Sequence, residues 1–311
     1  MIESLNRLMN EAKTCNILVI GDTMLDEWVH GESTRISPEA PVMIVKVEKI
    51  QRSLGGAANV AWNATELGCN VSLYGSIGKD SDGDLVSDLC RNTNINSCFV
   101  RSDRPTTKKS RILCQEQQVL RIDTEVCSPV EIKKDLIKGL DKNFDKSING
   151  ILISDYDKGV LTHDLFHHIS EYASKMSIPI YVNAKPHNMY FLEKVRMITM
   201  NTKEARETFG YGETDEKSKR SEIFVTTLGN QGMEVVTSTE TFTVPTHVVD
   251  VADPVGAGDT AFTVLAICDI LGIHIKEAAL IANLAAALVV AKHGVLPITR
   301  AALEEYLVSV S

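Results

Sequence analysis

Short apolar runs of strand length alternate with amphipathic stretches of helix length along most of the chain. We interpret as strands the apolar runs at residues 16–20, 71–74, 150–154, 178–182, 197–200 and 224–227. We interpret as helices the stretches at residues 56–67, 260–271 and 276–291. Strands that alternate with helices at this spacing predict an α/β fold with a mostly parallel sheet and helices on both faces.

Two segments break the alternation. Residues 41–50 and 110–123 have the pattern of longer strands with polar interruptions. We interpret them as a small accessory β-sheet, called the lid from here on, with segments near residues 27–54 and 97–125. No repeat, low-complexity tract or Pro/Gly/Ser-rich linker divides the sequence, so we expect residues 1–311 to form a single domain.

Composition and charge narrow the class of protein. Hydrophobic residues make up 44% and charged residues 23% of the chain, as in soluble globular proteins. The net charge of -9 argues against a protein that binds nucleic acid or anionic membranes in general, because attraction to phosphates needs clustered Lys and Arg. No apolar run reaches the roughly 18 residues that a membrane span needs, and the first residues lack the order of a signal peptide. We therefore expect a cytoplasmic protein.

The strongest chemical signal is the sequence DPVGAGD at residues 253–259, directly before an apolar helical stretch. Gly256 and Gly258 allow a tight turn around Ala257 and leave N–H groups free at the start of a helix, where an anion is stabilised. Asp259, at the same helix end, could accept the proton of an attacking hydroxyl group. A glycine-rich turn with an ordinary aspartate cap is the alternative, and the motif alone does not decide between them.

Polar residues near the start of the chain form a second group. Gly55 and Gly56 precede a predicted helix and allow a ligand to approach the backbone, while the amide of Asn59 can donate to and accept from hydroxyl groups. An ordinary loop-to-helix junction is the alternative. Asp22 and Asp26 follow the first predicted strand, and ligands of open α/β sheets bind beyond the carboxyl ends of strands. A solvated loop is the alternative for these two carboxylates.

Two further strand ends carry candidate ligands. Asn201 and Glu204 follow the strand at 197–200 and could hold magnesium through water, or form a helix cap with a glutamate at its third position. Thr227, Gly229 and Gly232 follow the strand at 224–227. That sequence suits either the edge of a nucleotide site or a simple hairpin.

Taken in order, these motifs resemble the ribokinase-like (phosphofructokinase-B type) carbohydrate kinases over nearly the whole chain. The most specific are GGAAN at residues 55–59 and DPVGAGD at residues 253–259. The resemblance implies a ribokinase-like three-layer sandwich, with a mostly parallel central sheet between helices and a small β lid over the sugar. It also implies an enzyme that uses ATP and Mg²⁺, and a homodimer that forms through the lid.

Within that family, several stretches are similar to the bacterial kinases of heptose 7-phosphate: residues 21–28, 34–42, 117–123 and 154–159. This similarity implies phosphorylation of O1 of D-glycero-D-manno-heptose 7-phosphate, giving the 1,7-bisphosphate for ADP-heptose and lipopolysaccharide core synthesis. No nucleotidyltransferase-like H-x-G-H motif follows, so we expect a stand-alone kinase. One alternative is another sugar or nucleoside kinase of this fold, and another is a catalytically silent sugar-binding regulator.

The resemblance also implies a role for each candidate residue. Asp259 would remove the O1 proton, and backbone N–H groups from Gly256 through Ala257 and Gly258 would stabilise the charge of the γ-phosphoryl group. The sugar would be held by Asp22, Asp26, Gly55, Gly56 and Asn59, and its distal phosphate by Arg121 and Lys185. Magnesium would be held through water by Asn201 and Glu204. The nucleotide would be bordered by Asn201, Glu204, Thr227, Gly229, Gly232 and Asn283.

Two departures from the family pattern affect the expected substrate. Asn183, Ala184 and Lys185 stand where the family usually has Asp-Pro-Lys, and Pro254 replaces a Thr or Val before the glycine loop. Both leave the exact sugar open, but neither removes the base or the anion-binding loop.

Overall fold

The fold was analysed in a computed structural model that describes residues 1–130, 147–210, 214–247, 249–292 and 294–310. The strands are β1 (Asn16–Gly21), β2 (Thr23–Glu32), β3 (Lys46–Gly56), β4 (Asn70–Gly78), β5 (Asn96–Ser102), β6 (Thr107–Cys114), β7 (Gln117–Thr124), β8 (Gly150–Ser154), β9 (Ile180–Asn183), β10 (Val195–Asn201), β11 (Ser221–Thr227), β12 (Met233–Thr237) and β13 (Thr241–Val244). The helices are α1 (Ile2–Glu11), α2 (Ala57–Glu66), α3 (Ser81–Asn92), α4 (His163–Met176), α5 (Thr202–Phe209), α6 (Thr214–Arg220), α7 (Ala257–Ile270), α8 (Ile275–Val290) and α9 (Arg300–Val310).

Nine strands form the central sheet in the order β13-β12-β11-β10-β9-β8-β1-β4-β5. Neighbours from β11 to β5 are parallel, whereas β12 and β13 continue the sheet in antiparallel fashion beyond β11. The parallel strands end at one edge of the sheet, so the loops that follow β1, β8, β9, β10 and β11 lie together there. The candidate residues of those loops are brought to one side of the molecule.

Helices cover both faces of the central sheet. Ile17 and Val19 of β1 belong to one apolar core, whereas Leu18 and Ile20 belong to the other, because successive side chains of a strand point to opposite faces. The predicted mostly parallel sheet with helices on both faces is therefore confirmed. No helix in the described ranges is long and apolar enough to cross a bilayer.

The lid is a separate four-stranded sheet in the order β3-β2-β6-β7. Its strand β2 follows β1 after one residue, so Asp26 lies within a strand and not in a loop after β1. The local pattern did not reveal β2, because this strand is defined by its pairing with β3 and β6, which come later in the chain. The strand β5, which we had included in the second lid segment, is instead the edge strand of the central sheet.

The second lid segment is a hairpin and not one long strand. Strands β6 and β7 are antiparallel and are joined at Gln115 and Glu116. These two residues have φ values of +51° and +64°, as the central residues of a type I′ turn do. Because neither is glycine or asparagine, the sequence carried no turn signal at this point.

Candidate active site

Asp259 lies in the first turn of α7, which begins directly after the glycine-containing loop. Gly256 has a φ of +86°, in the left-handed region that favours glycine. The N–H groups in the first turn of a helix have no intrahelical acceptor, so an anion is stabilised next to them. The loop and helix have the backbone arrangement on which anion sites at helix termini are built.

The carboxylate of Asp259 is almost fully buried, with 4% of the residue exposed. The side-chain amide of Asn59 donates to its Oδ2 at 2.9 Å, and the hydroxyl of Tyr156 donates to its Oδ1 at 2.7 Å. Burial raises the pKa of Asp259 to about 6, although these two hydrogen bonds oppose the rise. A carboxylate with such a pKa is largely ionised at neutral pH and can still take up a proton readily, as a general base must.

Asn59 is held in one orientation by its neighbour on α2. The side-chain amide of Asn63 donates to Oδ1 of Asn59 at 3.1 Å, which leaves the Asn59 amide nitrogen facing Asp259. Oδ1 of Asn63 in turn accepts hydrogen bonds from the hydroxyl of Thr260 and from the N–H of Ile298. Asn63 is completely buried and ties α2 to α7, so the Asn59–Asp259 contact is part of a connected polar network.

Asp22 holds the loop that follows β8. Its Oδ2 accepts hydrogen bonds from the N–H groups of Tyr156 and Lys158 at 2.8 and 3.0 Å, and its Oδ1 accepts one from Val160 at 3.1 Å. Asp22 itself is buried, and burial raises its pKa while these three amides oppose the rise. These described hydrogen bonds of the Asp22 carboxylate are with this loop, and its assignment as a sugar ligand stays a prediction.

A second buried carboxylate, Asp155, connects the loops after β8 and β9. It accepts hydrogen bonds from the N–H groups of Asp157 and Lys185 and from the side-chain amide of Asn188. Burial, reinforced by the charge of Asp22, raises the pKa of Asp155 to about 6. The backbone at Lys185 is thereby fixed next to the group of Asp259, Asn59 and Tyr156, which we call the Asp259 cluster.

The lid contributes a buried ion pair to the same site. Oδ1 of Asp26 lies 2.6 Å from a guanidinium nitrogen of Arg111, and both side chains are less than 10% exposed. The Arg111 guanidinium also lies 4.9 Å from the ring centre of Trp28. Gly55 is needed beside this pair, because a Cβ at that position would lie 2.2 Å from Oδ2 of Asp26. Burial raises the pKa of Asp26, and Arg111 opposes the rise.

The two cations predicted to hold a distal phosphate occupy different places. Lys185 pairs with Glu204 and lies 5.1 Å from the ring centre of Tyr156, so the structure brings it into the Asp259 cluster. Arg121 lies on β7 with its side chain about half exposed, and it pairs with Asp123. Among the described contacts, none joins Arg121 to Asp259.

Asn201 and Glu204 form the capping box that was the alternative to a magnesium site. Oδ1 of Asn201 accepts from the N–H of Glu204, and Oε2 of Glu204 accepts from the N–H of Asn201, both at 2.9 Å. The other oxygen of Glu204 pairs with Lys185. No group of three or more His, Cys, Asp or Glu side chains suited to a metal ion occurs in the described part of the chain.

The residues assigned to the nucleotide form a continuous strip at one end of the sheet. Asn201 and Thr227 are partners in the β10–β11 ladder, and Gly229 and Gly232 lie in the hairpin turn between β11 and β12. Asn283 of α8 donates to the carbonyl groups of Val244 and Pro245, and the carbonyl of Val244 lies close to Gly232. The hairpin interpretation is thus confirmed, whereas nucleotide binding along this strip stays a prediction.

Sequence reasoning missed Tyr156, Asp155 and Asn63 as members of the hydrogen-bond network around Asp259. A signal for the first two was present, because Asp155 and Tyr156 directly follow the strand at 150–154. The argument that placed Asp22 at a strand end applies to them equally. Asn63 had no such signal, since it lies in the middle of a helix.

Comparison with known proteins gives a consistent result. A family model described as pfkB family carbohydrate kinase matches residues 15–301. The chain is 35% identical over 305 residues to the bifunctional protein HldE of a Nitratiruptor species and 37% identical over 310 residues to that of Aliarcobacter butzleri. These alignments cover 93% and 95% of this chain but only 64% and 65% of those relatives. The chain therefore spans less than two thirds of their length.

Solved structures with the same fold include phosphofructokinase-2 of Escherichia coli in complex with potassium, with a TM-score of 0.75, 17% identity, and coverage of 95% of this chain and 98% of that one. Another is Arabidopsis thaliana ribokinase complexed with ribose and ATP, with a TM-score of 0.71, 16% identity, and coverage of 94% and 98%. These similarities confirm the predicted ribokinase-like fold.

Proposed function

The chain belongs to the pfkB family of carbohydrate kinases, and we propose that it transfers the γ-phosphoryl group of ATP to O1 of D-glycero-D-manno-heptose 7-phosphate. The observation that carries the proposal is the buried Asp259, oriented by two hydrogen bonds at the start of a helix. The choice of heptose 7-phosphate rests on the stretches at residues 21–28, 34–42, 117–123 and 154–159. The similarity to HldE proteins over more than 90% of the chain supports that choice.

In the proposed reaction, Asp259 accepts the proton of the sugar O1 hydroxyl while O1 forms a bond to the γ-phosphorus. The bond from the γ-phosphorus to the bridging oxygen breaks, and ADP leaves with that electron pair. The N–H groups at the start of α7 lie beside Asp259 and stabilise the negative charge of the phosphoryl group during transfer. Because Asp259 is already buried and oriented, little reorganisation is needed when the substrates bind.

Glu204 and Asn201 fit a magnesium ion that is held through water and not by direct contact. Both oxygens of the Glu204 carboxylate already have protein partners, and a magnesium ion held through water would leave both contacts in place. Mg²⁺ commonly retains several water ligands and is held by few carboxylates together with substrate phosphates. When bound with ATP, it would neutralise phosphate charge.

The face of the lid that carries Asp26 is suited to the distal phosphate of the acceptor. Arg111 and Arg121 are directly opposite each other in the β6–β7 ladder, and residues opposite each other point to the same side of a sheet. Arg121 therefore extends the surface on which Arg111 pairs with Asp26. Its pairing with Asp123 is exposed and inexpensive to exchange for a phosphate.

The opposite face of the lid supports the proposed homodimer. Four apolar residues lie in one row across its four strands, Ile50, Val29, Ile112 and Leu120. Ile50 and Leu120 are 47% and 54% exposed, and neighbouring Ile122 is 51% exposed. A contiguous exposed apolar patch is typical of an interaction site, and two copies of this face could cover each other.

The test is a coupled assay of ADP release with heptose 7-phosphate, free heptose, fructose 6-phosphate, ribose and a nucleoside as acceptors. We expect heptose 7-phosphate to be strongly preferred. Equal rates with free and phosphorylated heptose would refute the heptose 7-phosphate assignment and leave the family assignment intact. Sugar binding without ATP turnover for every acceptor would favour the regulator alternative.

Arg121→Ala tests the phosphate contact. Loss of a charge-assisted hydrogen bond should raise KM for heptose 7-phosphate about tenfold or more, with KM for ATP and activity on free heptose unchanged. Lys185→Ala should raise both KM values, because Lys185 also contacts Glu204. The matched control is Arg91→Ala, which removes an exposed ion pair with Asp88 on α3 and should change neither. An unchanged KM for the phosphorylated sugar in Arg121→Ala would contradict the assignment.

A further inference from the structure

Among the described residues, Tyr156 is a second donor to Asp259 beside Asn59, and its hydroxyl takes part in none of the bond changes of the proposed reaction. Its hydroxyl lies 2.7 Å from Oδ1 of Asp259, on the oxygen that Asn59 leaves unoccupied. Burial and the charge of Asp259 both raise the pKa of Tyr156 well above its usual value. The phenol therefore stays protonated over the working range of an enzyme and acts only as a donor in this contact.

The position of Tyr156 is set by its backbone. The N–H of Tyr156 donates to Asp22, which also accepts from Lys158 and Val160, so one buried carboxylate holds three N–H groups of the same loop. The ring faces the ammonium group of Lys185 at 5.1 Å. A side chain held at its backbone and on its face has little freedom to leave Asp259.

We infer that Tyr156 is a positioning residue that keeps the Asp259 carboxylate ionised and aimed at the acceptor hydroxyl. The inference rests on the proposed role of Asp259 as the base. A hydrogen bond to the charged form of a carboxyl group favours that form and lowers its pKa. In this site it counteracts the burial that raises the pKa of Asp259 to about 6.

In the described part of the chain, the groups that face Asp259 come from four regions: Asn59 of α2, Asp26 of β2, Tyr156 after β8 and Lys185 after β9. Asp26 favours the protonated form of Asp259, whereas Lys185 favours the ionised form. The charges of Asp26 and Lys185 are in turn offset by their partners Arg111 and Glu204. The two neutral donors, Asn59 and Tyr156, therefore decide much of the balance between the ionised and the protonated form of Asp259. Of these two donor groups, only the hydroxyl of Tyr156 can be removed without changing the shape of the site.

The test is Tyr156→Phe, which deletes the hydroxyl and keeps the ring. The pH profile of kcat/KM for the sugar, at saturating ATP, reports ionisation before the sugar binds. Its acidic limb should move to higher pH by about one to two pH units, which corresponds to losing one hydrogen bond to a charged group. The sugar phosphate and ATP titrate identically in every variant, so the difference between variants belongs to the protein. A limb that stays in place, even with a lower plateau, would overturn the inference.

Tyr181→Phe is the matched control. Tyr181 donates to Oδ2 of Asp269 at 2.8 Å, which makes it a second tyrosine–carboxylate pair on the same helix, α7, near its other end. Removal of the Tyr181 hydroxyl should lower stability by an amount similar to that in Tyr156→Phe and leave the pH profile unchanged. An equal movement of the acidic limb in Tyr181→Phe would also refute the specific role of Tyr156.

A second measurement does not depend on the substrate. NMR titration of ¹³C-labelled aspartate carboxyl groups in the protein without ligands reports the pKa of Asp259 directly, with Asp259→Asn identifying its signal. This pKa should be higher in Tyr156→Phe than in the native protein, and lower when 3,5-difluorotyrosine, a stronger donor, replaces Tyr156. If the titration shows these changes while no heptose phosphate is turned over, the substrate proposal fails and the role of Tyr156 stands. If Asp259 titrates identically in all three proteins, the inference fails.

Discussion

Replacing Asp259 with asparagine should lower the turnover of the enzyme and raise the stability of its fold at pH 8. Asparagine keeps the shape of the side chain but cannot accept a proton, so turnover should fall by about 10² to 10⁴-fold, the usual contribution of a general base. ATP binding should be nearly unchanged, because the backbone of the glycine loop is retained. Near-native turnover in Asp259→Asn would remove this residue from the role of base.

The expected effect on stability follows from the pKa of Asp259. Burial raises it from 3.8 to about 6 in the folded protein, so the folded state binds more protons than the unfolded state between these values. The free energy of unfolding therefore falls as the pH rises from 3.8 to about 6. Above that range the total loss is roughly 3 kcal/mol. Asparagine is not ionised and therefore removes this cost. However, its single side-chain oxygen can accept from only one of the donors Asn59 and Tyr156, and the unsatisfied donor costs about 1 kcal/mol.

The net expectation is that Asp259→Asn is more stable than the native protein by about 1–2 kcal/mol at pH 8. Urea unfolding at pH 8 and pH 5 measures this difference in stability between the variant and the native protein. The difference should shrink at pH 5, where Asp259 is largely protonated in the folded native protein. The control Asp269→Asn, on the same helix, loses contacts with Arg196 and Tyr181. It should be less stable and fully active. A less stable Asp259→Asn at pH 8 would refute the electrostatic reasoning.

Two further predictions concern the lid. Gly55→Ala should lower the free energy of urea unfolding by about 1–3 kcal/mol, because its methyl group would overlap Oδ2 of Asp26. Gly258→Ala should not, because the added methyl would meet no atom within 4 Å among the described residues beyond its chain neighbours and the backbone of its own helix. Equal stabilities of the two variants would contradict this. Leu120→Lys should convert the proposed dimer to a monomer in sedimentation analysis, since it places a charge in the apolar row. The control Val308→Lys, at an exposed apolar site outside the lid, should not, and a native protein that is monomeric at micromolar concentration would refute the dimer.

The elements that the sequence predicted well are those with a strong local pattern. The buried strands β1, β8 and β11, and the helices α2 and α7, were each found within a few residues of their observed positions. Their apolar periodicity and flanking glycines are properties of neighbouring residues. Strand β2 and the turn at Gln115 were missed, because neither has a local signal that distinguishes it.

The sequence by itself determined the family, the α/β class and the identity of the candidate base, because periodicity and the motif at residues 253–259 are local. Only the tertiary structure decided what surrounds that base. Asn59, Tyr156 and Lys185 come from three separate parts of the chain, and their meeting depends on the order of the parallel strands. The burial that raises the pKa of Asp259 is likewise a property of the packed molecule, since desolvation is produced by every element that covers a group and not by its sequence neighbours.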